Sequence, residues 1–152
     1  MLRILLTILL LLTALPGPEA ASSAKIVKVL PHFLDQQGRH TLSPSLYERD
    51  AYQAQLRKNP DQISTVRFDI QWKPGSLKSA NWKLRAEILG RKSQPTQIKT
   101  VERAVKPASF WENWSSLPLS KEEYQALGEI NAWRVTLWDG ESLLAEQKSF
   151  LW

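Results

Sequence analysis

The chain has no cysteine, and this absence removes several kinds of site at once. It excludes disulfides, thiol nucleophiles, cysteine metal sites and lipid attachment through a cysteine. An exported domain without disulfides must be stabilised by packing alone, which favours a bacterial periplasm or cell surface over a disulfide-rich eukaryotic module. Histidine is also scarce, because the chain has only His32 and His40.

Long apolar runs are absent after the N-terminus. Arg3 precedes an apolar run at residues 4–15, and small residues follow at 20–24. The run is shorter than the roughly 20 residues that span a bilayer. This pattern predicts a secretion signal over residues 1–24. We therefore expect residues 25–152 to form one periplasmic or secreted domain with no transmembrane segment after signal removal.

Charge of one sign is not concentrated anywhere, although the net charge is +5. Basic and acidic residues alternate along the candidate strands, which indicates a solvated surface of mixed charge. Export and the lack of an aromatic-basic recognition motif argue against a nucleic-acid partner.

Strict alternation of apolar and polar residues marks two strands, one starting near residue 65 and the other near residue 82. Alternation of this kind is typical of antiparallel strands that bury one face in a core. The apolar rows are Val66, Phe68, Ile70 and Trp72 in the first strand, and Trp82, Leu84, Ala86 and Ile88 in the second.

The remaining segments predict a two-sheet antiparallel β-sandwich of about seven strands. Further strands are expected at 25–34, which Pro31 marks as an edge strand, at 96–105 with a bulge, and at 110–114, 132–138 and 143–152. Capping signals predict a helical insert near 44–58 and a short helix near 121–127. The apolar side of the insert would consist of Leu46, Tyr47, Ala51, Ala54 and Leu56.

Two stretches also resemble known proteins. The run WRVTLWDG at 133–140, with its Asp-Gly turn and terminal strand, resembles the closing hairpin of immunoglobulin-like and fibronectin-type sandwiches. That resemblance implies a domain that binds or spaces other molecules. The runs PSLYERDAY at 44–52 and EQKSFLW at 146–152 resemble small exported proteins of verrucomicrobial bacteria, a resemblance that implies no activity.

No combination of residues predicts catalysis or a cofactor. His32, Asp35 and His40 lie within nine residues, but their spacing matches no zinc or copper motif, so we expect surface or capping roles and no metal. The chain has no Gly-x-Ser-x-Gly nucleophile motif. A glycosidase pair could be drawn from Asp69, Glu87, Glu112 and Glu129. However, Asp69 and Glu87 fall on the solvent side of strands, so we expect solvated strand charges instead of a catalytic pair.

Tryptophan is the unusual component, with seven residues. Trp72, Trp82 and Trp133 fall on apolar sides of strands, where core packing explains them. Trp111 and Trp114 would lie on opposite faces of the strand at 110–114, so one would be exposed. Whether the helix at 121–127 covers that second ring stays open.

An exposed ring beside polar groups suits an extended peptide or a sugar, so Trp111, Asn113 and Trp114 are the predicted binding residues. We expect a non-enzymatic binding or assembly module of the cell envelope. Its partner would be an envelope or extracellular protein, held by these rings or by addition to the strand that contains Pro31. The alternative is a carbohydrate-binding module that uses the same tryptophans.

Overall fold

A computed structural model describes residues 24–76, 81–92 and 98–152. Within these ranges the chain forms seven strands and two α-helices. The strands are β1 (Lys25–Leu34), β2 (Thr65–Lys73), β3 (Trp82–Gly90), β4 (Lys99–Ala104), β5 (Asn113–Ser120), β6 (Ile130–Asp139) and β7 (Ser142–Lys148). The α-helices are α1 (Leu46–Lys58) and α2 (Lys121–Leu127), and a short 3₁₀ turn covers Pro60–Gln62.

The strands form two antiparallel sheets. One sheet has the order β1-β2-β5 and the other the order β4-β3-β6-β7. The predicted mainly β sandwich, with a helical insert and a second short helix, is therefore confirmed. The predicted signal segment lies outside the described residues except for Ala24, whose side chain is buried at the start of β1.

The core lies between the sheets and is built from the alternating rows of β2 and β3. All eight side chains of the two predicted rows are buried. Trp72 and Trp82 meet across the sheets with ring centroids 5.7 Å apart, and Phe68 meets Trp133 edge-on at 6.4 Å. Core packing of these three tryptophans agrees with the prediction, although Trp133 is only partly buried.

The structure also confirms the sequence signals that predicted the short helix and the turn of the closing hairpin. The Ser120 hydroxyl accepts a hydrogen bond from the Glu123 amide, and the Glu123 carboxylate accepts one from the Ser120 amide, so both halves of the capping box are present. Gly128 ends the helix with φ 72°. Gly140 has φ 55° in the turn between β6 and β7. However, β7 ends at Lys148, earlier than predicted.

Two predicted strands need correction. The expected bulge in the strand at 96–105 is absent from the described residues, because β4 pairs with β3 without a register shift. Val101 packs against the core from within β4, and Val105 is buried after the strand has ended. The aromatic strand predicted at 110–114 begins instead at Asn113 and continues to Ser120 through Pro118, which is tolerated because β5 is an edge strand.

Helix α1 packs with a different face from the one predicted. Leu56 is fully buried, but the other four members of the predicted apolar side, Leu46, Tyr47, Ala51 and Ala54, are exposed. The helix contacts β1, and its partly buried residues include Tyr52 and Gln53. Polar groups face inward because the helix lies beside a strand whose backbone needs hydrogen-bond partners.

Gln53 supplies those partners. The Phe33 amide donates to Gln53 Oε1 at 2.8 Å, and Gln53 Nε2 donates to the Phe33 carbonyl at 2.9 Å. Gln53 Nε2 also donates to the His40 carbonyl at 2.7 Å. Pro31, two residues earlier on the same side of the ladder, has no N–H to offer. β1 lies at an edge of its sheet, as the sequence predicts. Between Pro31 and Phe33, this edge offers no free outward N–H group to a further strand.

We predict that Gln53→Ala lowers the free energy of unfolding by about 2 kcal/mol, because two backbone groups of Phe33 lose their partners. The exposed edge should also promote self-association. Chemical denaturation and sedimentation velocity measure the two effects. Gln55→Ala is the matched control, since Gln55 is exposed on the same helix. Equal stability of the two variants would contradict the role given to Gln53.

Candidate functional site

Three large aromatic side chains are exposed around the start of β5. Phe110 is 71% exposed, Trp111 80% and Trp114 51%. We call these three residues the aromatic surface. Exposed aromatic rings that lie close together in the chain are characteristic of binding sites, because water solvates their faces poorly.

Asn113 holds the loop that carries this surface. Its side chain is buried, and Oδ1 accepts hydrogen bonds from the amides of Ala108 at 2.7 Å and Ser109 at 3.0 Å. Its Nδ2 donates to the Ser109 carbonyl at 2.7 Å. This amide is therefore engaged within the protein. Asn113, predicted as a binding residue, positions the neighbouring rings.

The two tryptophans differ from the prediction in their placement. They were expected on opposite faces of one strand, but β5 starts at Asn113 and leaves Trp111 in the preceding loop. Helix α2 follows the opposite end of β5, and both rings remain exposed. Trp114 Nε1 donates to Glu112 Oε1 at 2.9 Å, which restricts the orientation of that ring.

Gln71 lies beside Trp114 and was missed by sequence reasoning. The two residues are directly paired between β2 and β5, on the outer face of the three-stranded sheet. Gln71 is 8% exposed, and its Oε1 is buried with no hydrogen-bond partner in the described structure. An unpaired buried acceptor costs free energy unless a ligand or water satisfies it. No sequence signal reveals this pair, because the alternation does not say which strands are neighbours.

A polar cluster continues along the same outer face. Asp69 accepts hydrogen bonds from His32 Nδ1 at 3.0 Å, Arg67 Nη2 at 2.9 Å and Ser116 Oγ at 2.6 Å. The His40 ring stacks on His32 with centroids 4.7 Å apart. The cluster joins β1, β2 and β5 through one carboxylate.

The electrostatics of this cluster favour a structural role. Burial by itself raises the pKa of Asp69, but the hydrogen bonds from His32, Arg67 and Ser116 outweigh it and hold this pKa well below its usual range. Burial, together with the neighbouring His32 and Arg67, lowers the pKa of His40. Ser116 donates to the carboxylate and so has no histidine base to activate it.

Of the three candidate metal ligands, His32 and His40 are in ring contact, whereas Asp35 has other partners. Asp35 binds Arg39 Nε at 2.8 Å and the Tyr52 hydroxyl at 2.7 Å, while His32 binds Asp69. No three His, Cys, Asp or Glu side chains in the described ranges are placed to hold a metal ion. The other candidate carboxylates have partners as well: Glu87 pairs with Arg134, Glu112 with Trp114, and Glu129 with Arg91.

No family model, characterised protein or solved structure matches this chain. In the described part of the chain, neither helix has the length or the apolar composition to span a bilayer.

We predict that Asp69→Asn destabilises the protein at neutral pH by roughly 1 to 3 kcal/mol, because three hydrogen bonds lose their charged acceptor. A carboxyl whose pKa is lowered by folding contributes stability above its unfolded pKa of about 4, and this contribution is lost as the pH falls further. The variant should consequently lose less stability than the wild type between about pH 5 and pH 2. Chemical denaturation across this pH range measures both effects.

The control for this experiment is Asp61→Asn, which removes the same charge from an exposed position after α1. It should keep the wild-type pH dependence. If Asp69→Asn and Asp61→Asn have the same acid profile, Asp69 does not stabilise the sheet as described.

Proposed function

We propose that this protein is an exported, non-enzymatic binding module that captures an envelope or extracellular protein through its aromatic surface. The proposal depends on one observation: Phe110, Trp111 and Trp114 are exposed on a segment whose conformation a buried Asn113 maintains through three hydrogen bonds. Rings held in place before binding lose little conformational freedom when a partner covers them. Export by residues 1–24, to the periplasm or out of the cell, is part of this proposal.

The sheet order supports an immunoglobulin-like module. Strands one, two and five share one sheet, and strands three, six and seven share the other, as in constant-type immunoglobulin domains. The departure is β4, which pairs with β3 where the constant-type arrangement places the fourth strand in the first sheet.

Capture through the rings is favoured over strand addition. Gln53 occupies the outward backbone groups of Phe33, and Pro31 lacks a donor. The other edge of this sheet contains Pro118, and Arg103 Nη1 donates to the Ser116 carbonyl at 3.1 Å. At these positions, neither edge of the three-stranded sheet can pair fully with an incoming strand.

Carbohydrate binding is the second candidate, and Gln71 favours it. A sugar ring stacks its C–H face on an exposed indole and needs acceptors for its hydroxyl protons. Trp114 provides the ring, and the unpaired Oε1 of the adjacent Gln71 provides an acceptor once rotation of the Gln71 side chain exposes this buried atom. Glu112 stands beside the same indole and offers a second oxygen.

The protein-capture proposal predicts that Trp111→Ala/Trp114→Ala weakens partner binding about tenfold or more, because exposed aromatic anchors contribute most of the energy of an interface. Both rings are exposed, so thermal stability should change little. Cross-linking capture in the native host, followed by mass spectrometry, identifies the partner, and titration with that purified partner measures the affinity.

Phe150→Ala is the matched control, because Phe150 is fully exposed but lies outside the aromatic surface. It should bind the partner normally. Normal capture by a folded double variant would refute the proposed surface. A mature N-terminus that retains residues 1–24 would refute export.

The carbohydrate alternative makes a separate prediction about Gln71→Leu. The variant should keep or gain stability, since a buried unpaired acceptor is replaced by an apolar group of similar size. If glycans are the ligand, glycan-induced tryptophan quenching should be lost in Gln71→Leu and also in Trp114→Ala. Quenching that is unchanged in Gln71→Leu would exclude this acceptor from the site.

A further inference from the structure

A cleft of about 300 Å³ lies at the opposite end of β5 from the aromatic surface. Its walls come from the end of α1, the turn after β3, helix α2 and the residues that follow α2. The groups that bear on its chemistry are Arg57, Lys92, Tyr124 and Glu129.

Tyr124 contributes an unused hydroxyl to this cleft. Its ring is buried and meets Phe33 edge-on, with centroids 5.7 Å apart. Its hydroxyl makes no hydrogen bond to any described residue, although the ring lines the cleft. Burial and the charge of Glu129 raise the pKa of Tyr124, so the hydroxyl keeps its proton and can donate it.

The charged groups leave the cleft with an excess of positive charge. Arg57 lies over the Phe33 ring, 5.6 Å from its centroid, and forms no ion pair with a described carboxylate. Lys92 Nζ donates to the Gln125 carbonyl at 3.3 Å and also has no carboxylate partner there. The carboxylate in the wall, Glu129, is paired with Arg91 at 3.4 Å. Two cations are therefore available to an anion.

A second cleft of about 240 Å³ adjoins the first, because Arg57 and Glu129 line both. Its walls combine the polar residues His32 and Asn131 with the apolar residues Phe33, Ile130 and Trp133. The positive cleft thus continues into a space of mixed polarity, in which Phe33 and Trp133 are the aromatic residues that an apolar group could contact.

We propose that the two clefts together bind a small organic anion. Its carboxylate or phosphate occupies the first cleft, where Arg57, Lys92 and the Tyr124 hydroxyl donate to it. Its apolar part occupies the second cleft beside Phe33 and Trp133. This site is independent of the aromatic surface and does not require the function proposed above.

NMR titration of the isotope-labelled protein tests the proposal. The titrants are inorganic phosphate and phenyl phosphate, and each replaces chloride so that the ionic strength stays constant. Phosphate should cause saturable shifts at Tyr124, Gly128 and Lys92. Phenyl phosphate should bind about tenfold tighter and add shifts at Trp133, because its ring buries apolar area. Benzoate should shift the same residues, since its carboxylate presents similar acceptors.

Three variants make the test specific. Tyr124→Phe keeps the buried ring and should weaken phenyl phosphate binding about fivefold, the effect of one lost hydrogen bond. Arg57→Gln should weaken it about tenfold or more. Lys58→Gln is the matched control, because it removes the same charge from the next residue, which lies outside both clefts, and it should change affinity less than about twofold.

Several outcomes would overturn the proposal. Shifts that do not saturate, or that lie away from the clefts, would show that the anion has no site there. Equal weakening by Arg57→Gln and Lys58→Gln would indicate diffuse attraction to a basic protein. If Tyr124→Phe binds phenyl phosphate with unchanged affinity, the hydroxyl is not part of the site. If phenyl phosphate binds no tighter than phosphate, the second cleft does not bind the apolar group.

Discussion

The packing of β2 against β3 across the core is the constraint on which the rest of the molecule depends. Each strand presents four buried apolar side chains to the opposite sheet, and the contact between Trp72 and Trp82 joins the two rows at one end. Because side chains alternate along a strand, burial of these rows directs every intervening residue outward. The polar residues of β2 and β3 therefore form their hydrogen bonds and ion pairs on the two outer faces. The groups that these interactions leave unpaired determine which surfaces could bind another molecule.

Both outer faces satisfy most of their charges internally. On the four-stranded sheet, Glu87 pairs with Arg134 and Glu102 with Arg85, across neighbouring strands. On the three-stranded sheet, Asp69 collects donors from three strands. Unused groups stand out against this background, and two of them lie near the two ends of β5. At one end, the aromatic surface lies next to the unpaired oxygen of Gln71, and at the other, the Tyr124 hydroxyl lies in a positive cleft.

The sequence was most informative where a single physical rule acted over several residues. Alternation predicted β2 and β3, and capping chemistry predicted α2, because both depend on near neighbours in the chain. The same rules failed for the face of α1. There, polar Gln53 turns inward to bind the backbone of Phe33, a residue 20 positions away, while Leu46 and Tyr47 remain in solvent. Helical periodicity describes a helix that covers a core, whereas α1 lies beside the edge of a sheet.

For the proposed binding surfaces, the sequence by itself singled out Trp111 and Trp114 by residue type and by the polar groups around them. Only the tertiary structure decided that both rings are exposed, that Asn113 holds the loop, and that Gln71 lies opposite Trp114. It also brought Arg57, Lys92 and Tyr124 to one cleft from three separate segments. Local periodicity and turn chemistry act within a few residues and can be read from the chain. Strand pairing and sheet packing join distant residues, and their partners become known only when the fold brings them into contact.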